Sequence, residues 1–275
     1  MGRRAMRNVV RRSVSTARQL LADRRLVLEF VRRDVRGRFA GARFGLLWSL
    51  FNPAIQLLSY GLIFGFLYGA SDPVRRNILV ASLFCGLFPW WAFQEGVTRG
   101  MAALVDQAAI LRRVPISPVI PVVASVIAAF GLQMLGFLLF LLAFTLIGLV
   151  SPGPAWLFLP FVMGGILVLA LVLALVLAPL HLVVRDTAHV VTAALTVGFF
   201  ASPVLYELDV LPTGLRPFAE LNPMVGLLGA VRWAVLAGAP PPALAWCSLV
   251  IVVVAGWLLA MALLDRLEGR LDEYW

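Results

Sequence analysis

The chain has 275 residues, of which 61% are hydrophobic and 13% charged. An ordinary soluble domain carries roughly 25% charge, so that class is excluded. The net charge of +9 comes from arginine alone, because all 23 basic residues are arginine; without lysine the chain can hold neither a Walker A phosphate loop nor a Schiff-base nucleophile.

Residues 1–43 are the most basic part of the sequence and lack the apolar core of a cleavable signal. Within them, "STARQLLADRRLVLEFVRRDVRGRFA" at 15–40 has helical periodicity without the length to span. At about 100° per residue, Leu20, Val27, Leu28, Val31, Val35 and Phe39 share one side. Arg18, Arg25, Arg32, Arg33 and Arg36 take the other, and Arg24 and Arg38 break the pattern. This predicts an N-terminal amphipathic helix lying in the membrane interface. It serves either as an anchor on anionic lipid or as a collar in which Arg32, Arg33, Arg36 and Arg38 receive a lipid phosphate, a group that planar guanidinium donors fit.

Apolar stretches long enough to cross about 30 Å of hydrocarbon follow near 46–70, 78–98, 118–150, 155–180, 188–206 and 245–264. With the N-terminus inside and six alternating spans, 19 arginines fall on the cytoplasmic side and four outside, Arg75, Arg76, Arg216 and Arg232. That imbalance puts both termini in the cytoplasm. The predicted fold is therefore an all-α integral membrane protein with about six transmembrane helices, an N-terminal amphipathic interface helix and re-entrant short helices between spans five and six. Its segments are 1–43, interfacial; 44–265, the transmembrane domain; and 266–275, a cytoplasmic tail.

At the inner end of span two, Glu95 and Arg99 stand four residues apart, the spacing of an intrahelical pair. The loop at 98–118 carries a short helical pattern stopped by Pro115 and Pro118. It is either a solvated connector or a piece that docks on another protein. Aromatic residues gather in "FPWWAF" at 88–93 and at Phe199, Phe200, Tyr206, Trp233 and Trp246. They form packing and interfacial belts, or a surface on which sugar rings stack. Cys85 and Cys247 read as small packing residues. Arg185 and Asp186 end helices at an inner turn; His181 and His189 flank them with no further ligand, so no metal site is expected.

After span five, "SPVLYELDVLPTGLRPFAELNP" at 202–223 interrupts the apolar chain. Pro203, Pro212, Pro217 and Pro223 admit only short helices there, and Glu207, Asp209 and Glu220 need water to face. Residues 224–239, with Arg232 and several glycines, are too short and polar for a seventh span. Irregular backbone at membrane depth needs protein or a wet cavity around it, so the segment is expected at the outer mouth of a pathway.

Three pieces together, "RDVRGRFAGARFGLLWSLFNP" at 33–53, "GLFPWWAFQEGVTRGMAALVDQAAILRRVPISPVIP" at 86–121 and "RDTAHVVTAALTVGFFASPVLYELDVLP" with "LNPM" at 185–224, resemble the permeases of type-2 ABC exporters. The nearest branch exports lipid-linked polysaccharide: O-antigen, teichoic acid, capsule or galactan. The resemblance implies a half-transporter that pairs with a second copy of itself and with two separate ATPase subunits, which hold the ATP and Mg; this chain itself would bind no cofactor and no nucleic acid. It implies ATPase coupling near Asp106, Ala109, Arg112 and Arg113, and an entrance helix at 25–39. It also implies an outer re-entrant segment at 203–238. Trp90, Trp91, Phe199, Phe200 and Tyr206 are then candidates for the channel lining or its outer rim. The implied substrate is a lipid-linked glycan crossing the cytoplasmic (inner) membrane. Rival readings are a type-2 ABC exporter of drugs or lipids and a membrane enzyme acting on polyprenyl phosphate.

Overall fold

The computed structural model describes residues 18–41, 44–67, 73–114, 116–237, 240–241 and 243–268. Arg43, Pro115, Gly238, Arg270 and the segment before 18 lie outside the described residues, as do the side chains of Arg75 and Arg76. Every regular element among the described residues is helical, in the order α1 (Arg24–Arg38), α2 (Trp48–Leu67), α3 (Pro73–Asp106), α4 (Ala108–Leu111), α5 (Val119–Leu146), α6 (Leu159–Val183), α7 (Thr187–Ala201), α8 (Arg216–Glu220), α9 (Pro223–Leu236) and α10 (Ala243–Glu268).

Among the described residues four helical stretches are long and apolar enough to cross a membrane: Asn77–Asp106, Val119–Leu146, Pro154–Val183 and Ala243–Arg266. Helix α2 adds 20 residues, about 30 Å of rise. Helix α7, where the sequence predicts the fifth span, is only 15 residues long, about 22 Å. Extended backbone at Ser202 ends it, ahead of Pro203.

Helix α3 is the central pillar. Ala81, Leu83, Phe84, Leu87, Phe88, Ala92 and Phe93 are buried around its whole circumference, which a helix reaches only when neighbours cover every side. Helices α5 and α6 supply the largest of those contacts, and α10 packs on α6. Phe84 stacks on Phe137 of α5 with ring centroids 4.9 Å apart, and Phe88 meets Phe140 at 5.2 Å. Much of the "FPWWAF" cluster is therefore packing. Gly100 faces Ala174 and Val126 with no room for a Cβ, so here a small residue lets α3, α5 and α6 approach closely.

Helix α1 docks against α5. Its buried face is Val27 and Phe30, with Asp34 and Arg38 further along, whereas Leu28 is 53% exposed. The apolar side thus sits slightly off the predicted one, drawn round by Phe30. Cys85 is buried as expected; Cys247 is exposed on the chain taken alone.

Candidate functional site

The hairpin after α7 is held by side chains of α3, of α9 with its N-cap, and of the hairpin itself. Ser202 is fully buried, and the Asn222 amide donates to its Oγ at 2.9 Å. Asn222 also caps α9, accepting from the Met224 amide at 3.0 Å, with Pro223 in the first turn. The separated Ser-Pro and Asn-Pro signals of the sequence are two halves of one clasp. Above it, the buried Arg232 of α9 donates to the Pro203 carbonyl at 2.6 Å, the Val204 carbonyl at 2.9 Å and Ser82 Oγ at 3.1 Å. Gly86 of α3 admits that loop, because a Cβ there would collide with the Val204 carbonyl. Tyr206 closes the turn by donating to the Phe200 carbonyl at 3.0 Å. Beyond this clasp lies a hollow of about 480 Å³ lined by Glu207, Asp209, Arg216, Glu220, Arg232 and Trp233. Its rim is tied by Arg216, which donates to the Asp209 and Leu211 carbonyls.

A larger cleft of about 630 Å³ lies between α2, α3, α5 and α7. Asn52, Gln56 and Tyr60 come from one face of α2, four residues apart. Gln94 and Trp91 come from α3, Gln133 from α5, and Thr196, Phe199 and Phe200 from α7. Among the described residues lining it, Arg38 and Glu95 at one end are the only charges. Neutral amides alternating with aromatic faces suit a ligand that is rich in hydroxyl groups and flat on its apolar sides.

The charged end is a four-membered network. Arg38 Nη2 donates to Glu95 Oε1 at 2.8 Å, Arg38 Nε lies 3.6 Å from Asp34 Oδ2, and Arg99 reaches Asp34 at 3.3 Å. Glu95 and Arg99 therefore each bind α1 across the fold, where the sequence suggests a pair within one helix. Burial lowers the Arg38 pKa and Glu95 pulls it back up; Arg99 opposes and Asp34 assists. The guanidinium stays charged throughout, since arginine is not deprotonated in proteins.

The structure sorts the predicted residues. Trp91, Phe199, Phe200 and Arg38 reach the large cleft. Trp90 is buried behind it, donating to Gln94 Oε1 at 3.0 Å and meeting Phe199 edge-on at 5.8 Å, and so orients two lining groups. Tyr206 belongs to the hairpin clasp. Arg32, Arg33 and Arg36 are exposed on α1, with Arg32 paired to Glu29 at 2.8 Å. Asp106, Ala109, Arg112 and Arg113 are all exposed around the end of α3 and the single turn α4. Sequence reasoning passed over Asn52, Gln56, Gln94, Gln133 and Asp34. Isolated amides inside apolar runs were the available signal.

Four helices long and apolar enough to cross a membrane, packed beside a polar, aromatic-walled cleft, define an integral membrane protein. The chain belongs to the ABC-2 type transporter family, which it matches over residues 25–236. It is 31% identical over 223 residues to the O-antigen export system permease protein RfbA of Myxococcus xanthus, covering 78% of this chain and 82% of the relative. It is 23% identical over 252 residues to the protein of the same description from Klebsiella pneumoniae, covering 90% and 94%. Against the polysialic acid transport protein KpsM of Escherichia coli the identity is 22% over 206 residues, covering 75% and 79%.

Proposed function

We propose that the chain is the permease subunit of an ATP-driven exporter that moves a lipid-linked polysaccharide across the cytoplasmic membrane. The observation that carries this reading is the large cleft, whose amides and aromatic rings offer hydrogen bonds and stacking faces while its two charges neutralise each other. Moving a polar chain through hydrocarbon without such a lining leaves each polar group unsatisfied at several kcal/mol. The names carried by its relatives, which concern export of O-antigen and transport of polysialic acid, favour the same class of cargo.

Exposed apolar residues of α2, among them Phe51, Ile55, Leu58 and Leu62, and of α7, Val190, Val197 and Phe200, stand on two helices that line the cleft. A second copy placed there turns two half-clefts into one conduit. ATP and Mg then bind two separate ATPase subunits, as membership of the ABC-2 family implies, and the lack of a lysine for a phosphate loop agrees with this. Those subunits dock on the exposed turn formed by Asp106, Ala109, Arg112 and Arg113. The arginine count supports placing both termini on the cytoplasmic side.

The test is deletion of the gene in its native cell. Lipid-linked glycan should accumulate on the cytoplasmic face and return to the surface when the wild-type chain is restored. Normal surface glycan in the deletion strain would reject the reading.

A further inference from the structure

We propose that Glu95 is an internal anion seated on Arg38, and that the phosphate of the incoming lipid carrier takes its place. This rests on the export reading above. Three observations carry it.

The first is that the pair stands at the end of the cleft, where both side chains line the cavity. The second is the asymmetry of the network. The Arg38 and Asp34 side chains are 15% and 14% exposed, whereas Glu95 is 39% exposed. Glu95 is thus the member a ligand can displace, while Asp34, held by Arg99, stays with the guanidinium. The third is an unused donor. Nε and Nη2 of arginine form one edge of the guanidinium, the edge that takes two oxygens of a single anion. Here Glu95 occupies only Nη2, through one oxygen, and the buried Nε has no hydrogen-bond acceptor. Asp34 lies 3.6 Å from Nε, close enough for ion attraction and too far for a hydrogen bond. A tetrahedral phosphate has oxygens enough to bridge both nitrogens.

Charge follows the same logic. Asp34 and Glu95 balance Arg38 and Arg99, so the cleft carries no net charge at this end. When Glu95 swings out, one positive charge is uncovered, and the phosphate restores the balance. The exchange also removes one of the two ion pairs between α1 and α3 among the described residues, leaving only Arg99–Asp34, so arrival of the anion would be felt by the helix at the entrance. A neutral glycan without its phosphate gains nothing by displacing Glu95, which makes the pair a selectivity element for phosphate-bearing cargo.

The experiment uses the full-length permease assembled with its ATPase in nanodiscs, titrated with farnesyl pyrophosphate and, separately, with inorganic pyrophosphate. Glu95→Gln keeps the shape and removes the competing charge, so it should tighten binding by about tenfold and steepen the salt dependence. Arg38→Gln should weaken binding by at least about tenfold. A pair that only holds α1 in place cannot yield a gain in affinity, so unchanged or weaker binding in Glu95→Gln overturns the proposal, whether or not Arg38→Gln folds. Tighter binding of the farnesyl form assigns the seat to the lipid carrier; equal binding of inorganic pyrophosphate assigns it to the phosphate alone. No binding to either protein sinks the exchange even if cells export glycan normally through this chain. Tight binding with export intact in the deletion strain sinks only the export reading.

Discussion

Arg232 binds the hairpin after α7 to the bundle with three N–H groups, two of them spent on backbone carbonyls, so its removal strands buried acceptors. Arg232→Met leaves the carbonyls of Pro203 and Val204 without donors, and each buried unsatisfied group costs about 1–3 kcal/mol. The expected loss is about 3 kcal/mol, visible as a lower melting temperature in detergent and faster proteolysis across 207–215. Gly86→Ala attacks the same joint from the other side, because the Val204 carbonyl is backbone and cannot swing away. It should cost about 1–3 kcal/mol. Gly37 is the control, since a Cβ there meets nothing within 4 Å; Gly37→Ala in helix α1 should be neutral or stabilising by up to about 1 kcal/mol. Equal destabilisation by the two alanines would show that the contact with the hairpin carries no weight.

Helix α1 shows where local reasoning succeeds and where it stops. Its existence and amphipathic character follow from periodicity alone, but Phe30 rather than Leu28 joins Val27 in the buried stripe. Phe30→Ala is expected to cost about 3 kcal/mol and to raise hydrogen exchange throughout 24–38, whereas Leu28→Ala changes stability by less than about 0.5 kcal/mol. The reverse order would mean that α1 docks by its other side. The four spanning helices were legible because the bilayer fixes their length, α2 and α7 as apolar runs although α7 falls short of the predicted span, and the interruption after α7 because proline stops helices. The cleft was not legible. Asn52, Gln56 and Tyr60 declare a polar face on α2, yet nothing local says that Gln94 and Gln133 will stand opposite. The charged network is hidden for the same reason: Arg38 meets a carboxylate 57 positions away and Arg99 one 65 positions away, while local spacing pairs Glu95 with Arg99.

At the scale of the whole molecule, the proposed pairing of two copies would join their clefts across the exposed apolar residues of α2 and α7. Val197, 68% exposed on α7, should crosslink to its counterpart in a second copy when changed to Cys with Cys85 and Cys247 removed. A chain that runs only as monomer and never crosslinks would refute the paired conduit. The double variant Arg112→Glu, Arg113→Glu should insert normally yet fail to capture the ATPase, which co-purification reads directly. Export itself is read most directly by ATP-driven flipping in proteoliposomes holding this chain and its ATPase, with fluorescent lipid-linked glycan in the outer leaflet and the ATPase facing out. ATP should move the glycan to the inner leaflet, and Trp91→Ala with Gln133→Leu should slow that movement by about tenfold or more. Glycan that stays in the outer leaflet while ATP is hydrolysed would mean that this chain does not carry it.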